Sequence, residues 1–325
     1  MKMQKTIFIF LLCAMLSQAQ TKKHSDYPSE NSNLETTTNK ERGQMASKKI
    51  KTLRSEKISD SIPETSGLLS FQNLLWTHND DHDTTLYGLD HQGKIKKKIN
   101  LKGIKNIEWE EITQDSSYIY LGDFGNNSKG NRQDLRILRI EKESLSLSNP
   151  VIDTIAFSYA DQTTFSVQKS NTTDFDCEAF VALNDSLYLF TKQFTNKQTA
   201  VYSLPKKPGK YTAKLKESIH IKGLVTGATV IPNRNGIALC GYSKTLDPFV
   251  FLLYDYPNND FSKGSQRKIK IKLPFHQVEG ITTEDGLLFY ISNEATQMKP
   301  FINTPQQIHT IDLSLFLKEK TAQLH

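Results

Sequence analysis

Short runs that alternate apolar and polar residues recur along the chain, separated by turns rich in Asn, Asp, Gly and Ser. That alternation predicts β-strands rather than helices. Five stretches share one layout: "SGLLSFQNLLW" from Ser66, "EEITQDSSYIY" from Glu110, "EAFVALNDSLY" from Glu178, "TGATVIPNRNGIAL" from Thr226 and "EGITTEDGLLFY" from Glu279. Each opens on an acid or a hydroxyl, continues as a short apolar strand, turns through polar residues and enters a second strand. An aromatic of the second strand follows ten residues on in four copies, at Trp76, Tyr120, Tyr188 and Phe289. The copies start 44, 68, 48 and 53 residues apart.

A third strand follows each copy, at 85–90, 135–140, 200–205, 249–256 and 307–313. Fourth strands are expected at 94–101, 151–159, 215–221 and 267–273. The last copy has none after it, and "EKISDSI" (56–62) stands ahead of the first copy instead. Four antiparallel strands per unit at this period predict an all-β, five-bladed β-propeller, its ring closed by an N-terminal strand. A six-bladed ring is the competitor, with a degenerate blade hidden in 141–175.

The first strand of a propeller blade lines the central channel. Side chains alternate between the faces of a strand, so only one of Glu110 and Glu111 is expected at the axis, and the ten-residue spacing selects Glu110. Glu111 is expected to point into its blade or the neighbouring one. The axial ring would then comprise Ser66, Glu110, Glu178, Thr226 and Glu279. Carboxylates confined in a narrow channel repel one another, and without a cation at least one is driven toward its neutral form. Oxygen ligands alone suit a hard ion, calcium ahead of magnesium, and the lack of His or Cys in the ring argues against zinc or copper. A hydrated channel, with the glutamates bonded to backbone amides and water, is the alternative.

Composition narrows the partners. Lys2 and Lys5 precede an apolar core from Thr6 to Leu16 and a small polar exit, so residues 1–20 read as a secretory signal. That apolar stretch is too short to span a bilayer. Residues 21–54 are rich in Lys, Ser, Thr, Asn and Glu and read as a disordered tether. This places the propeller domain at 55–325 and the mature chain in the periplasm or outside the cell, as a monomer. The tether carries eight basic and four acidic residues, which with Lys2 and Lys5 account for the whole formal charge of +6. Residues 55–325 are therefore neutral, and the pI near 8.9 gives no support for nucleic-acid binding. Lysines in "KIKKKINLK" (94–102) fit an outermost strand protected against edge pairing. Cys177 and Cys240 follow the signal and read as two buried thiols rather than a disulfide framework.

Two further clusters carry candidate chemistry. "THNDDHD" (77–83) follows a strand, where Asn and Asp favour turns. Its functional reading is a site at the channel mouth, with His78 or Asp80 as general base on a water molecule. "GDFGNN" (122–127) has two glycines but no helix to make a phosphate loop. As equivalent propeller loops converge on one end, Asp123 and Asn126 would share a mouth with Asp80. Asp80, His78 and Asp123 are the catalytic candidates, and a small molecule or a protein is the ligand class such a mouth accepts.

One hydroxyl or carboxylate per blade, in the order Ser, Glu, Glu, Thr, Glu, resembles the calcium-activated nucleotidases, the soluble apyrases. "ETSGLLSFQNLLWTHNDDHDTTLYGLD" (64–90), "YIYLGDFGNN" (118–127), "TVIPNRNGIALCGYSK" (229–244) and "VEGI" (278–281) are similar to motifs of that family. The resemblance implies a five-bladed propeller with calcium in its channel and, more weakly, phosphohydrolase or esterase activity. The family's arginine before the first-blade serine is replaced here by Ile62-Pro63-Glu64-Thr65, and its paired third-blade arginines by Lys192-Gln193. Polyphosphate sites are rich in Arg and Lys, so these departures weigh against a nucleotide. "LWTHND", "WEEI" and "GDFGNN" also look like a group of secreted bacterial propellers without settled function, the closer kin. Two expectations follow: a calcium-bearing binding module, or a hydrolase using metal-assisted attack by water.

Overall fold

A computed structural model describes residues 49–298 and 300–317. The expected signal and most of the expected tether lie outside the described residues. The strands in chain order are β1 (Arg54–Lys57), β2 (Thr65–Phe71), β3 (Leu74–Asn79), β4 (Thr85–Leu89) and β5 (Ile95–Asn100). They continue with β6 (Trp109–Gln114), β7 (Tyr118–Asp123), β8 (Arg136–Glu141) and β9 (Ile152–Tyr159). Next come β10 (Cys177–Leu183), β11 (Ser186–Thr191), β12 (Thr199–Pro205) and β13 (Gly209–Ile219). Then follow β14 (Leu224–Val230), β15 (Gly236–Tyr242), β16 (Pro248–Tyr254) and β17 (Ser265–Lys270). Last are β18 (Val278–Thr283), β19 (Leu288–Asn293), β20 (Thr296–Met298), β21 (Ile302–Thr304) and β22 (Gln307–Asp312).

Hydrogen bonding sorts all but two of these strands into four-stranded antiparallel groups, β2-β3-β4-β5, β6-β7-β8-β9, β10-β11-β12-β13, β14-β15-β16-β17 and β18-β19-β22-β1, with β20 and β21 a separate pair. The last group takes its outer strand from the N-terminal side, through pairs such as Ser55 with His309. First strands β2, β6, β10, β14 and β18 pack side by side in that order, and β18 returns against β2. The chain is thus a β-propeller, and that return closes the ring.

Burial follows from position. β6 (WEEITQ) is buried on both faces until its last residue, because neighbouring groups flank it. Outer β9 alternates, with Ile155, Phe157 and Tyr159 buried between more exposed neighbours, as a half-covered strand should. The five largest hydrophobic clusters lie between consecutive groups. Leu69, Trp76 and Leu86 meet Ile112, Ile119 and Leu138, while Leu68, Leu75 and Tyr87 meet Ile58, Ile62 and Ile308 at the closure. A fully buried Leu or Ile contributes about 1.5–3 kcal/mol, so the ring is held mainly by these interleaved layers.

Several features depart from the sequence reading. Residues 50–54, assigned to the tether by composition, are attached: Ile50 bridges Ile271, and the Leu53 amide donates to Thr310 at 2.7 Å. β13 starts at Gly209, well before the expected 215, and its first half pairs in parallel with β9. That pairing joins the second and third groups into one eight-stranded sheet and leaves neither outer edge bare. The 141–175 stretch contains a 3-10 turn at Lys142–Ser146, strand β9 and connecting chain, with no further four-stranded group among the described residues. Cys177 and Cys240 are buried and unbonded to each other. No helix among the described residues is long and apolar enough to cross a membrane.

Candidate functional site at the inner-strand end

The five ring positions coincide with irregularities in the inner strands. Register slips by one residue at Glu110 between Trp109 and Glu111, at Glu178 between Cys177 and Ala179, at Thr226 between Val225 and Gly227, and at Glu279 between Val278 and Gly280. In the first group the slip falls just after Ser66, between Ser66 and Leu69. A bulge inserts one unpaired residue and re-aims the side chains around it. All five ring residues are buried, from 1% to 8% exposed.

The same bulge overturns the simple alternation expected for Glu110 and Glu111. Glu111 is fully buried and reaches across the axis: its carboxylate accepts from the Ala228 amide on β14 at 2.6 Å and from its neighbour Ile112 at 2.9 Å. The Leu68 amide on β2 is a third donor. Burial pushes the Glu111 carboxyl well above the ordinary carboxylate value, and these backbone N–H groups pull it back. Residues at the same place in the other copies are Gly67, Ala179, Gly227 and Gly280. Four small residues leave room at the axis for one long one. At Gly67 the fit is tight, with φ at +65° and an added Cβ lying 2.8 Å from the Ile112 amide nitrogen and 2.9 Å from Glu111 Oε1. Gly67→Ala is expected to cost about 2 kcal/mol or more, through strain at positive φ and displacement of Glu111, read as a lower urea midpoint.

The two hydroxyl members staple neighbouring blades. Ser66 Oγ donates to the Glu110 carbonyl at 2.8 Å, and Thr226 Oγ1 donates to the Val278 carbonyl. Their oxygen lone pairs remain as acceptors.

The carboxylates share one electrostatic environment. Burial, then the charges of Glu178, Glu108, Asp80 and Asp176, raises Glu110 well above its ordinary value. Glu279 is raised by burial too, against the lowering effect of Lys192, with Glu294, Glu178 and Asp80 adding repulsion. Asp176 is raised by burial and by Glu178, while its Oδ1 accepts from the Asn126 amide at 2.7 Å. Lys192, just past β11, donates from Nζ to Glu178 Oε1 at 2.8 Å, with both side chains under 10% exposed. Burial works to lower Lys192, but Glu178, Tyr242, Glu279 and Asp176 outweigh it and hold the ammonium well above the usual lysine value. Glu110 Oε1 is buried without a hydrogen-bond partner. It lies so close over Gly125 that an added Cβ there would stand 1.9 Å away. Lys192, Glu111 and Asp176 were missed as site residues by the sequence reading. Their signals were the departure at Lys192-Gln193, the acidic doublet where other copies are small, and an acid two residues before Glu178.

The catalytic candidates divide. Asp80 is brought to the ring: it bears on Glu110 and Glu279, and it clusters with Glu64 and Asp81, one carboxylate oxygen from each lying within 4.8 Å. His78 is instead a core residue of β3, fully buried, with Nδ1 at 3.1 Å from the Asn79 carbonyl and its ring edge-on to Trp109 at 5.7 Å. Burial lowers it to about 4, a weak base shut away from solvent. Asp123 is also fully buried, clamped by Arg132 at 3.0 Å and Arg136 at 2.9 Å. Both guanidinium groups also donate to backbone, at Gly125 O and Lys105 O, each 2.9 Å. Asp123 therefore fixes the "GDFGNN" turn rather than facing a ligand. Asp123→Asn is expected to lower stability by about 3 kcal/mol, as breaking one partner of a buried ion-pair network does, read as a lower urea midpoint. Asn126 likewise braces the turn, its amide groups bonded to Asp176 and Phe175.

A surface depression of about 320 Å³, lined by Lys216, Glu217, Asn258, Asp260 and Lys263, lies on the flank of the third and fourth groups. Three of its charged groups are committed locally, Lys263 to Asp260 at 2.7 Å and Glu217 to the Phe261 and Ser262 amides. The chemistry concentrates at the channel end instead.

Strand order, ring closure and inner-strand bulges define a β-propeller with a buried, carboxylate-rich channel end. No family model matches the sequence, and no curated protein matches it. Among solved structures the chain is similar to the Pan2 WD40 domain of Neurospora crassa, at 10% identity and TM-score 0.37, covering 76% of this chain and 75% of that one. It is also similar to a putative oxidoreductase (glucose dehydrogenase) of Thermus thermophilus, at 7% identity and TM-score 0.41, covering 79% and 99%. A chain of the mitotic checkpoint complex is similar at 9% identity and TM-score 0.41, covering 90% and 98%. None of these likenesses carries an activity across to this chain.

Proposed function

We propose that this is an exported binding propeller whose inner-strand end holds a hard divalent cation, calcium ahead of magnesium, and presents it to a small ligand or protein partner. The observation that carries the reading is that Glu110, Asp176 and Glu279 are buried carboxyls each bearing by charge on Glu178, which alone is paired to an ammonium, that of Lys192, while Glu110 Oε1 is left without a hydrogen-bond partner. One lysine neutralises one of four carboxylates. The others must take protons or a cation, and an all-oxygen donor set suits calcium. Ser66 and Thr226 contribute oxygen lone pairs from the same ring.

An apyrase-like, calcium-dependent phosphohydrolase or esterase is the alternative, supported by the motif resemblance and by Asp80 beside the ring. Against it, His78 and Asp123 are committed within the fold, and Lys192 is paired to Glu178 rather than presented to phosphate. The test is thermal melting in calcium and in chelator, for wild type and Glu110→Gln. At calcium one hundred times its Kd, stabilisation of about 2.7 kcal/mol is expected in the wild type, and much less in the variant. Identical wild-type melting in both solutions would sink the reading. Phosphate or acid release from a panel of nucleotides and esters, abolished by Glu110→Gln, would favour the hydrolase.

A further inference from the structure

Ile50, ahead of β1, and Ile271, just past β17, form a parallel bridge between the outer strands of neighbouring groups. The Ile50 amide donates to the Lys270 carbonyl at 2.9 Å, and the Lys272 amide to the Ile50 carbonyl at 2.7 Å. Both isoleucines pack into one cluster with Phe316 and Leu317. Side chains alternate along a strand, so Lys49 stands beside Lys270 and Lys51 beside Lys272 on the opposite side, and all four are exposed. Like charges set opposite each other across strands weaken the pairing. Lysines elsewhere are matched with acids, Lys57 with Asp60, Lys96 with Asp90, Lys206 with Asp115 and Lys263 with Asp260. None of these four is so matched among the described residues. Lys268, two residues before Lys270, extends the row. Its Nζ lies over the Phe249 ring at 3.7 Å and donates to the Ile221 and Lys222 carbonyls at 3.0 and 2.9 Å. Burial, then the charges of Lys270 and Lys222, lowers it to about 8.

We propose that this face, Lys49, Lys51, Lys268, Lys270 and Lys272, docks the protein on an anionic phospholipid surface. The lysine stems leave the sheet about 5 Å apart across the strands and about 7 Å apart along them. They stand on an open sheet surface rather than around a cavity, so they fit a plane of negative charges and not one enclosed ion. Leu53 and Leu315, close along the chain to Lys51 and Phe316, are 64% and 71% exposed and supply apolar side chains to such an interface. In the sequence just ahead of Lys49, Lys40, Arg42 and Lys48 stand against a single acid, Glu41, which suits the same surface. Each lysine brought to an anionic leaflet tightens binding about fivefold. The inference is independent of the cation reading above.

The test is co-sedimentation of the chain without its expected signal, residues 21–325, with vesicles of phosphatidylcholine, with and without phosphatidylglycerol. Wild type should bind only the vesicles that contain phosphatidylglycerol, and high salt should release it. Lys270→Gln/Lys272→Gln should bind about thirtyfold more weakly. Lys98→Gln/Lys102→Gln, which removes the same charge at β5, should bind like wild type. Equal weakening in both pairs would overturn the role of this face, since net charge alone would then set the affinity. Binding to neutral vesicles, or to none, would overturn the inference, as would binding to heparin without binding to vesicles. Because Lys270 and Lys272 face like charges, the urea midpoint of their double variant should not fall below that of wild type. If it does fall, Lys49→Gln/Lys51→Gln takes its place in the same assay, and vesicle binding as strong as wild type by that pair would overturn the inference.

Discussion

Glu111→Ala is expected to unfold about 10 °C below the wild type, a loss of about 4 kcal/mol at the few degrees per kcal/mol typical of domains this size. The cause is specific. The Glu111 carboxylate accepts backbone N–H groups of Ile112, Ala228 and Leu68, which belong to three blades. Removing it strands buried donors, each costing about 1–3 kcal/mol, and opens a void at the axis between Gly67, Gly227 and Gly280. Glu111→Gln separates the two contributions. It keeps the volume, but every group aimed at this side chain is a donor, so its amide NH₂ finds no acceptor and a loss of about 2 kcal/mol remains. Chemical denaturation reads both. A wild-type midpoint for Glu111→Ala would mean that the blades hold their register without the axial contact.

Acid should weaken the fold through His309. Its Nε2 faces Asn293 Oδ1 at 2.8 Å, its Nδ1 faces Ser55 Oγ at 2.7 Å, and its ring lies 5.5 Å from that of His276. The Asn293 amide nitrogen donates to the Glu294 and Pro305 carbonyls, so Oδ1 is the atom turned to the imidazole. Nε2 therefore carries the proton and Nδ1 accepts from Ser55. Burial, then the charge of His276, lowers His309 to about 3 from its ordinary 6.5. A histidine depressed in the fold stabilises it fully above the unfolded value, and that stability drains as pH falls from 6.5 toward 3, because the unfolded chain binds the proton first. By pH 4 the loss is about 3 kcal/mol for this residue. The carboxyls raised by burial, such as Glu111 and Glu279, act in the opposite sense, since their folded forms gain protons first. The useful quantity is thus the difference between wild type and His309→Gln. That difference should shift by about 3 kcal/mol against the wild type between pH 7 and pH 4, measured by urea unfolding. A difference constant with pH would contradict the assignment.

Most of the architecture was legible because a repeated unit announces itself by spacing. The five openings and their partner strands fell within a few residues of the observed elements, and the ring positions proved to be the inner-strand bulges. What escaped notice depends on contacts that no local pattern encodes. Strict alternation assigned Glu111 to a blade interior, but a bulge adds a residue to one strand and breaks the period of two. Its destination, an amide on β14, lies 117 residues away. "THNDDHD" read as a loop because its composition is turn-like, yet Thr77, His78 and Asn79 finish β3 under the cover of neighbouring strands. Asp123 read as an open acid because Arg132 and Arg136, its partners, lie beyond a glycine turn. The parallel start of β13 against β9 carries strand composition on one side only, Lys210 and Thr212 being exposed. Lys192 was visible as a departure from the apyrase pattern, but only three dimensions put its ammonium on Glu178.

Counting bound ions tests the proposed cation. Equilibrium dialysis of wild type against calcium, followed by elemental analysis, should find one calcium ion per chain, with binding lost in Glu110→Gln/Glu279→Gln. A wild type that holds no calcium at millimolar free ion, or a double variant that holds as much as wild type, would contradict the proposed cation site.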